Sequence, residues 1–255
     1  MRGHYPQPWS YLFLLGFIRE GLSCCYDRRM RTPRASSPQP LNTEPGASVY
    51  SPTILKLYDL GVIGLSNRFV WQCPTKTVLL PFYKEHLGLK HLDVGVGTGF
   101  YIARAGLTRS HQVSLLDLNE NSLQAAAAQV KQAKVRTFMR DVMQPSSEPA
   151  DTGYDSISLF YLLHCLPGTM DDKETAIANL KRYLSKDGVL YGVTILGEEA
   201  GHNAIGRRLL KIYNDRGIMH NMGDTLDDLQ RMLSRQFQNV QVRRHNKVAL
   251  FVARD

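Results

Sequence analysis

The stretch HLDVGVGTGFY, His91 to Tyr101, limits what this chain can fold into more than any other. A short apolar run that ends in an acidic residue and three alternate glycines reads as a strand turning sharply into a helix. Such a turn offers backbone N–H groups and the positive end of a helix to a ligand. Glycine is needed there because a side chain would collide with a ligand lying on the backbone. The glycines Gly95, Gly97 and Gly99 are spaced G-x-G-x-G. The dinucleotide fingerprint G-x-G-x-x-G needs a glycine where Phe100 stands. Asp93 lies two residues ahead of the first glycine.

The rest of the chain supplies the setting. Strands are expected at 90–94 (KHLDV), 112–116 (QVSLL), 135–138 (VRTF), 155–160 (DSISLF) and 188–195 (GVLYGVTI). Between them, Leu123, Ala126, Ala127 and Val130 repeat at helical spacing. So do Ile177, Leu180 and Leu184, in a helix expected to close at Gly188 after Asp187. Strands alternating with helices imply a parallel sheet with crossover helices. The end of the chain departs from this. Leu226, Leu229 and Leu233 mark a helix capped by Asp224 or Thr225. The run 239–254 then shows two alternating segments separated by His245 and Asn246, the mark of a hairpin. The last strand is therefore expected antiparallel to the others.

Residues 1–47 read as a disordered extension outside a domain at 48–255, or as sequence ahead of the true start. Its apolar run, Trp9 to Ile18, is too short to span a bilayer, though a signal or anchor at residues 9–18 stays open. Four cysteines without metal-ligand spacing and no glycosylation sequon point to a reducing, cytoplasmic setting. The net charge of +8 comes from dispersed residues, and no nucleic-acid partner is expected.

Two acidic residues accompany the glycine loop. Asp117 ends the second strand, where a carboxylate can accept both hydroxyls of a ribose. Asp141 follows the third, where it can accept from an adenine amino group while Val142 offers its N–H. Each aspartate alone fits a helix cap or a turn as well. The order DVGVGTG, LLDLN, RDV, YDSISLFYLLHCLPG, LSKDGVLYGVTI resembles class I S-adenosylmethionine-dependent methyltransferases over residues 50–255, most of all their small-molecule, generic methyltransferase-domain branch. The resemblance implies a Rossmann-like α/β fold: a seven-stranded, mostly parallel sheet with an antiparallel last strand and an N-terminal helical lid. It implies that Asp93, Gly95, Gly97, Thr98 and Gly99 hold the amino-acid end of the cofactor. Asp117, Leu118 and Asn119 would take the ribose, Asp141 and Val142 the adenine, and Tyr161 would pack against the cofactor.

Methyl transfer from a sulfonium needs alignment and exclusion of water, and a base only for some acceptors. His164, after the fourth strand, is the candidate base, with a merely structural role as the alternative. Tyr58, Asn67, Phe69 and Trp71, in the segment before the first strand, are candidate contacts of the lid. His202, Tyr213 and His220 are weaker candidates in the segment 197–224. No aromatic-flanked Asn/Asp-Pro-Pro motif follows the fourth strand, Cys165 lacks a Pro-Cys context, and Asp171 and Asp172, adjacent at a helix start, match no magnesium site, which disfavours adenine or glutamine-amide, RNA cytosine and magnesium-dependent catechol-type chemistry. No metal is expected. The expected activity is methylation of a small molecule of secondary metabolism. The rivals are a cofactor-binding protein with a cyclase or regulatory role, a nicotinamide oxidoreductase, and an RNA or protein methyltransferase.

Overall fold

The computed structural model describes residues 66–145 and 152–255. The expectations placed on residues 1–65, Tyr58 among them, lie outside the described residues. Seven strands form one sheet: β1 (Lys90–Val94), β2 (Gln112–Asp117), β3 (Lys134–Met139), β4 (Tyr154–Phe160), β5 (Leu184–Ile195), β6 (Asn239–His245) and β7 (Val248–Arg254). Their order is β3-β2-β1-β4-β5-β7-β6. Strands β1 to β5 are mutually parallel, and β7 runs antiparallel to both β5 and β6. The helices are α1 (Leu80–Glu85), α2 (Phe100–Ala103), α3 (Glu120–Gln129), α4 (Met170–Lys181), α5 (Ala204–Asp215) and α6 (Leu226–Gln236). This is the expected seven-stranded arrangement with its antiparallel last strand.

Burial along the strands explains their sequences. Central β7 is buried and apolar almost throughout, and β4 is as deeply buried although it carries Ser156 and Ser158, whereas the edge strands β3 and β6 have no fully buried residue. A hydrophobic core joins Leu92, Ile157, Leu159 and Phe251 of the sheet to Ile177 and Leu180 of α4 and Leu229 and Leu233 of α6. From β1 the chain winds outward to β2 and β3, then returns to β4 and winds the other way. The crevice at the carboxyl ends of β1 and β4 is thus the switch point where open α/β sheets bind ligands.

Caps fix where the helices begin. Asn119 accepts from Asn121 N–H and Ser122 N–H at the start of α3, and Thr169 forms a capping box with Asp172 at α4. Thr225 caps α6; Asp224 is instead buried against Lys173. Two boundaries differ from expectation. Helix α4 ends at Lys181, and Leu184 already pairs with Tyr154 as the first residue of β5. Gly188 therefore stops no helix. It lies inside β5 at a register shift, where a β-carbon would come 2.7 Å from the Tyr154 carbonyl oxygen. The hairpin turn is Asn246–Lys247, with His245 still in β6 and Asn246 in the left-handed region at φ 53°.

The described part of the lid is a helical turn at 66–70, a second at Thr75–Leu79, and α1. It is tied across the molecule. Asn203 Nδ2 donates to the Phe69 carbonyl at 3.1 Å, and Asn246 Nδ2 donates to the Gln72 carbonyl at 2.8 Å. The segment before β1 therefore lies against the loop that follows β5 and against the final hairpin turn.

Candidate cofactor and acceptor site

The three loop glycines all adopt positive φ, at 68°, 52° and 76° for Gly95, Gly97 and Gly99. Their surroundings separate their roles. A β-carbon on Gly99 would lie 2.7 Å from the Ala126 Cα, so this glycine lets the loop close onto α3. A β-carbon on Gly97 would meet nothing within 4 Å, so its backbone faces open space. This is the face a ligand can lie on. Gly97→Ala should therefore cost only the strain of the left-handed conformation, about 1–2 kcal/mol, while weakening cofactor binding at least tenfold. Gly99→Ala should lower the melting temperature more, because backbone must move. Calorimetric titration with S-adenosylhomocysteine and thermal melts of both variants check this; a Gly97→Ala protein that binds normally would refute the assignment.

Asp93 is buried at the end of β1, and Ser158 Oγ on β4 donates to its Oδ1 at 2.6 Å. A polar chain continues beneath it. Ser158 Oγ is 3.0 Å from His91 Nε2, which is 3.0 Å from the Tyr83 hydroxyl, while His91 Nδ1 is 2.7 Å from Ser156 Oγ. Burial pushes the Asp93 carboxyl up to about 7, against the hydrogen bond from Ser158. Burial also takes His91 down to about 3, so that ring is neutral and gives Asp93 no counter-charge. A desolvated carboxylate at a loop that faces open space is suited to an incoming ammonium group.

Asp117 closes β2. Its Oδ1 accepts from Asn119 N–H at 2.8 Å and its Oδ2 from Gly97 N–H at 3.4 Å, which ties the tip of β2 to the glycine loop. Burial raises its pKa and the backbone N–H groups oppose the rise. Leu118 is half-buried beside it. The Thr98 carbonyl accepts from Gln129 Nε2 of α3 at 2.6 Å, which fixes the loop from the other side. Past β3, Asp141 Oδ1 accepts from Met143 N–H at 2.8 Å, and the Val142 carbonyl accepts from Asn179 Nδ2 of α4 at 2.9 Å. The three aspartates thus stand in sequence along the carboxyl edge of β1, β2 and β3.

The other side of the crevice begins at Tyr161, a non-glycine residue at φ 62°, whose N–H donates to the Val193 carbonyl at 2.9 Å. Its ring meets His164 edge-on, 5.8 Å between centroids. His164 is buried, with Nδ1 3.4 Å from Ile195 N and 3.4 Å from Thr194 Oγ1. A backbone N–H can only donate, so Nδ1 accepts and the neutral ring carries its proton on Nε2. Burial, then the charge of Lys173, push this histidine down to about 3. Its lone pair is already engaged by the backbone.

Of the lid residues, Asn67 is buried and donates from Nδ2 to Thr75 Oγ1 at 3.0 Å and the Tyr101 hydroxyl at 3.4 Å. Trp71 is buried edge-on against His202, with centroids 5.6 Å apart. Phe69 points outward, 60% exposed, beneath the Arg68 guanidinium. His202, a weaker candidate in the sequence, is thus brought against the lid. Its one local signal is a turn, Gly201 followed by Asn203 as the cap of α5, and that signal says nothing of its burial.

A strand order of 3-2-1-4-5-7-6, an open-faced glycine loop and acidic residues on three successive strand ends together define a methyltransferase fold with its cofactor crevice. Known proteins agree with this. A family described as a methyltransferase domain matches residues 92–190. The methyltransferase verB of Penicillium polonicum is 39% identical over 83% of this chain and 98% of its own length. The physcion biosynthesis cluster O-methyltransferase of Aspergillus chevalieri is 36% identical over 78% of this chain and 90% of its own. A solved complex of DhpI with S-adenosylhomocysteine superposes with a TM-score of 0.58 at 15% identity, covering 83% of this chain and 96% of that one. The chain belongs to the class I S-adenosylmethionine-dependent methyltransferases.

Proposed function

We propose that this enzyme methylates a hydroxyl group of a small natural product. The observation that carries the reading is the match along nearly the whole domain to an O-methyltransferase of a fungal biosynthetic cluster. In this reading Asp93, Gly95, Gly97, Thr98 and Gly99 hold the amino-acid end of S-adenosylmethionine. Asp117, Leu118 and Asn119 hold the ribose, Asp141 and Val142 the adenine, and Tyr161 packs against the cofactor. The open backbone of Gly97 and the desolvated Asp93 fit such a molecule, which combines an ammonium group with a flat, hydroxylated body.

The bound cofactor supplies an electrophilic methyl group on a sulfonium. The protein's share is placement and dryness. Tyr161, whose strained backbone is held by Val193, and the ring of His164 wall the carboxyl end of β4. Asn67 and Trp71 turn inward from the lid and narrow the access of water. His164 presents Nε2–H and so acts by donating a hydrogen bond. The acceptor is a small molecule, with no nucleic acid as partner. Among the described residues no helix is long and apolar enough to cross a membrane. The free thiols Cys73 and Cys165 support a reducing, cytoplasmic setting.

The test is incubation of the full chain with labelled S-adenosylmethionine and parallel panels of hydroxylated aromatics, small amines, total RNA and protein extract. Label is expected in the hydroxylated small molecules. Label confined to RNA or protein would sink the reading.

A further inference from the structure

We propose that His202 is the base that takes the proton from the acceptor hydroxyl, through its Nδ1; the assignment rests on the oxygen-methylation reading above. His202 follows β5 at the carboxyl edge of the sheet, the same edge that carries Gly97, Asp117 and Tyr161. Its side chain is 1% exposed. Its Nε2 lies 3.0 Å from the Leu196 carbonyl oxygen and 2.9 Å from that of Gly197. Carbonyls only accept, so Nε2 carries the ring proton and Nδ1 holds the lone pair. That Nδ1 is buried and has no hydrogen-bond partner among the described residues. A buried acceptor left in this state is costly, and a ligand's hydroxyl removes the cost.

The surroundings favour an acceptor at that nitrogen. Trp71, from the segment before β1, sets the ring edge-on, and the paired carbonyls fix its tilt. Beside Nδ1 lies Gly206, where a β-carbon would come 3.4 Å from it and 3.2 Å from the His202 β-carbon, so a larger residue there would crowd the ring. His164 contrasts with it, because its own lone pair accepts from Ile195 N–H. The groups around His202 are cationic. Arg207 donates to the His202 carbonyl, and Arg244 and Lys247 donate to carbonyls at Ala200 and Gly201.

In the step, the acceptor O–H breaks and its proton passes to Nδ1. The oxygen's electron pair forms the new O–C bond to the methyl carbon. The pair of the broken C–S bond stays on sulfur, and water then takes the proton from Nδ1.

The experiment compares the wild type with His202→Asn and His202→Gln on phenols of graded acidity, from unsubstituted phenol to 4-nitrophenol, which is ionised before it binds in mildly alkaline buffer. With phenol, kcat is expected to fall by a factor of about 100 or more. With 4-nitrophenol the fall is expected to stay under about tenfold, because no proton remains to be removed. Affinity for S-adenosylhomocysteine should be unchanged by calorimetry. An equal loss on both phenols, or no loss, overturns the assignment. A wild type that methylates no hydroxyl overturns the reading beneath it instead. Nitrogen-15 spectra of His202 decide the tautomer without any acceptor: an unprotonated, unbonded Nδ1 is expected, and a protonated Nδ1 overturns the proposal.

Discussion

Replacing Asp93 with asparagine should abolish tight cofactor binding and yet make the cofactor-free protein harder to melt. The two effects share one cause. The carboxyl is buried with no cation against it among the described residues, and its pKa rises from 3.8 to about 7. Each tenfold change in acidity corresponds to about 1.4 kcal/mol, so ionising this group in the folded state costs about 4 kcal/mol. The folded protein keeps the proton where the unfolded chain has lost it, so the penalty grows from about pH 4 and is complete above about pH 7. Asparagine fits the same space, accepts from Ser158 in the same way and never ionises. Even a quarter of the penalty recovered would raise the melting temperature of a chain this size by about 2–4 °C. The gain should be full at pH 8 and vanish below about pH 4. For the wild type, cofactor affinity should rise with pH through neutrality, as the carboxylate forms to meet the ammonium group. Melting curves at both pH values and titration with S-adenosylhomocysteine check the pair of effects. A variant less stable than the wild type at pH 8 would refute the burial argument.

The second large effect is structural. Lys173 on α4 is fully buried, and its Nζ donates to Asp224 Oδ2 at 2.6 Å and to the His220 carbonyl at 2.7 Å. Burial lowers the pKa of the lysine and raises that of the aspartate, so each charge persists because of the other. Lys173→Met strands the carboxylate and should cost about 3–5 kcal/mol, lowering the melting temperature by roughly 6–20 °C. It should also loosen the site, because His220 N–H donates to the His164 carbonyl at 2.8 Å. The double variant Lys173→Met with Asp224→Leu should regain most of the stability, since two apolar groups replace a buried pair at little cost. Urea denaturation measures both. A loss below about 1 kcal/mol in the single variant would show that the pair contributes little.

These two positions show what the sequence carries and what it does not. Asp93, Asp117 and Asp141 are visible because each follows an apolar strand, and a strand end is a local signal. The order of the sheet follows from helices alternating with strands and from the hairpin. The start of β5 is hidden, because Asp187 and Gly188 imitate a helix stop while their real setting, the Tyr154 carbonyl, lies on another strand. Lys173 reads as an ordinary exposed helix residue, since its partner lies 51 positions away. His202 is equally mute. It packs against Trp71, 131 positions earlier, and its tautomer is set by the Leu196 and Gly197 carbonyls through a fold of the loop that no side chain announces. Tyr161 sits at a positive φ that glycine or asparagine would have announced.

The placing of β7 also dictates an order of assembly. It follows β6 in the chain yet lies between β5 and β6, pairing with β5 from Leu190–Ala253 to Ile195–Val248. Among the described strands β6 pairs only with β7, so it cannot add to the sheet until the strand synthesised after it is in place. Until then β5 presents an open, apolar edge, the kind to which other chains add. The stretch that finishes the sheet is thus also the one that keeps the growing chain from joining its neighbours.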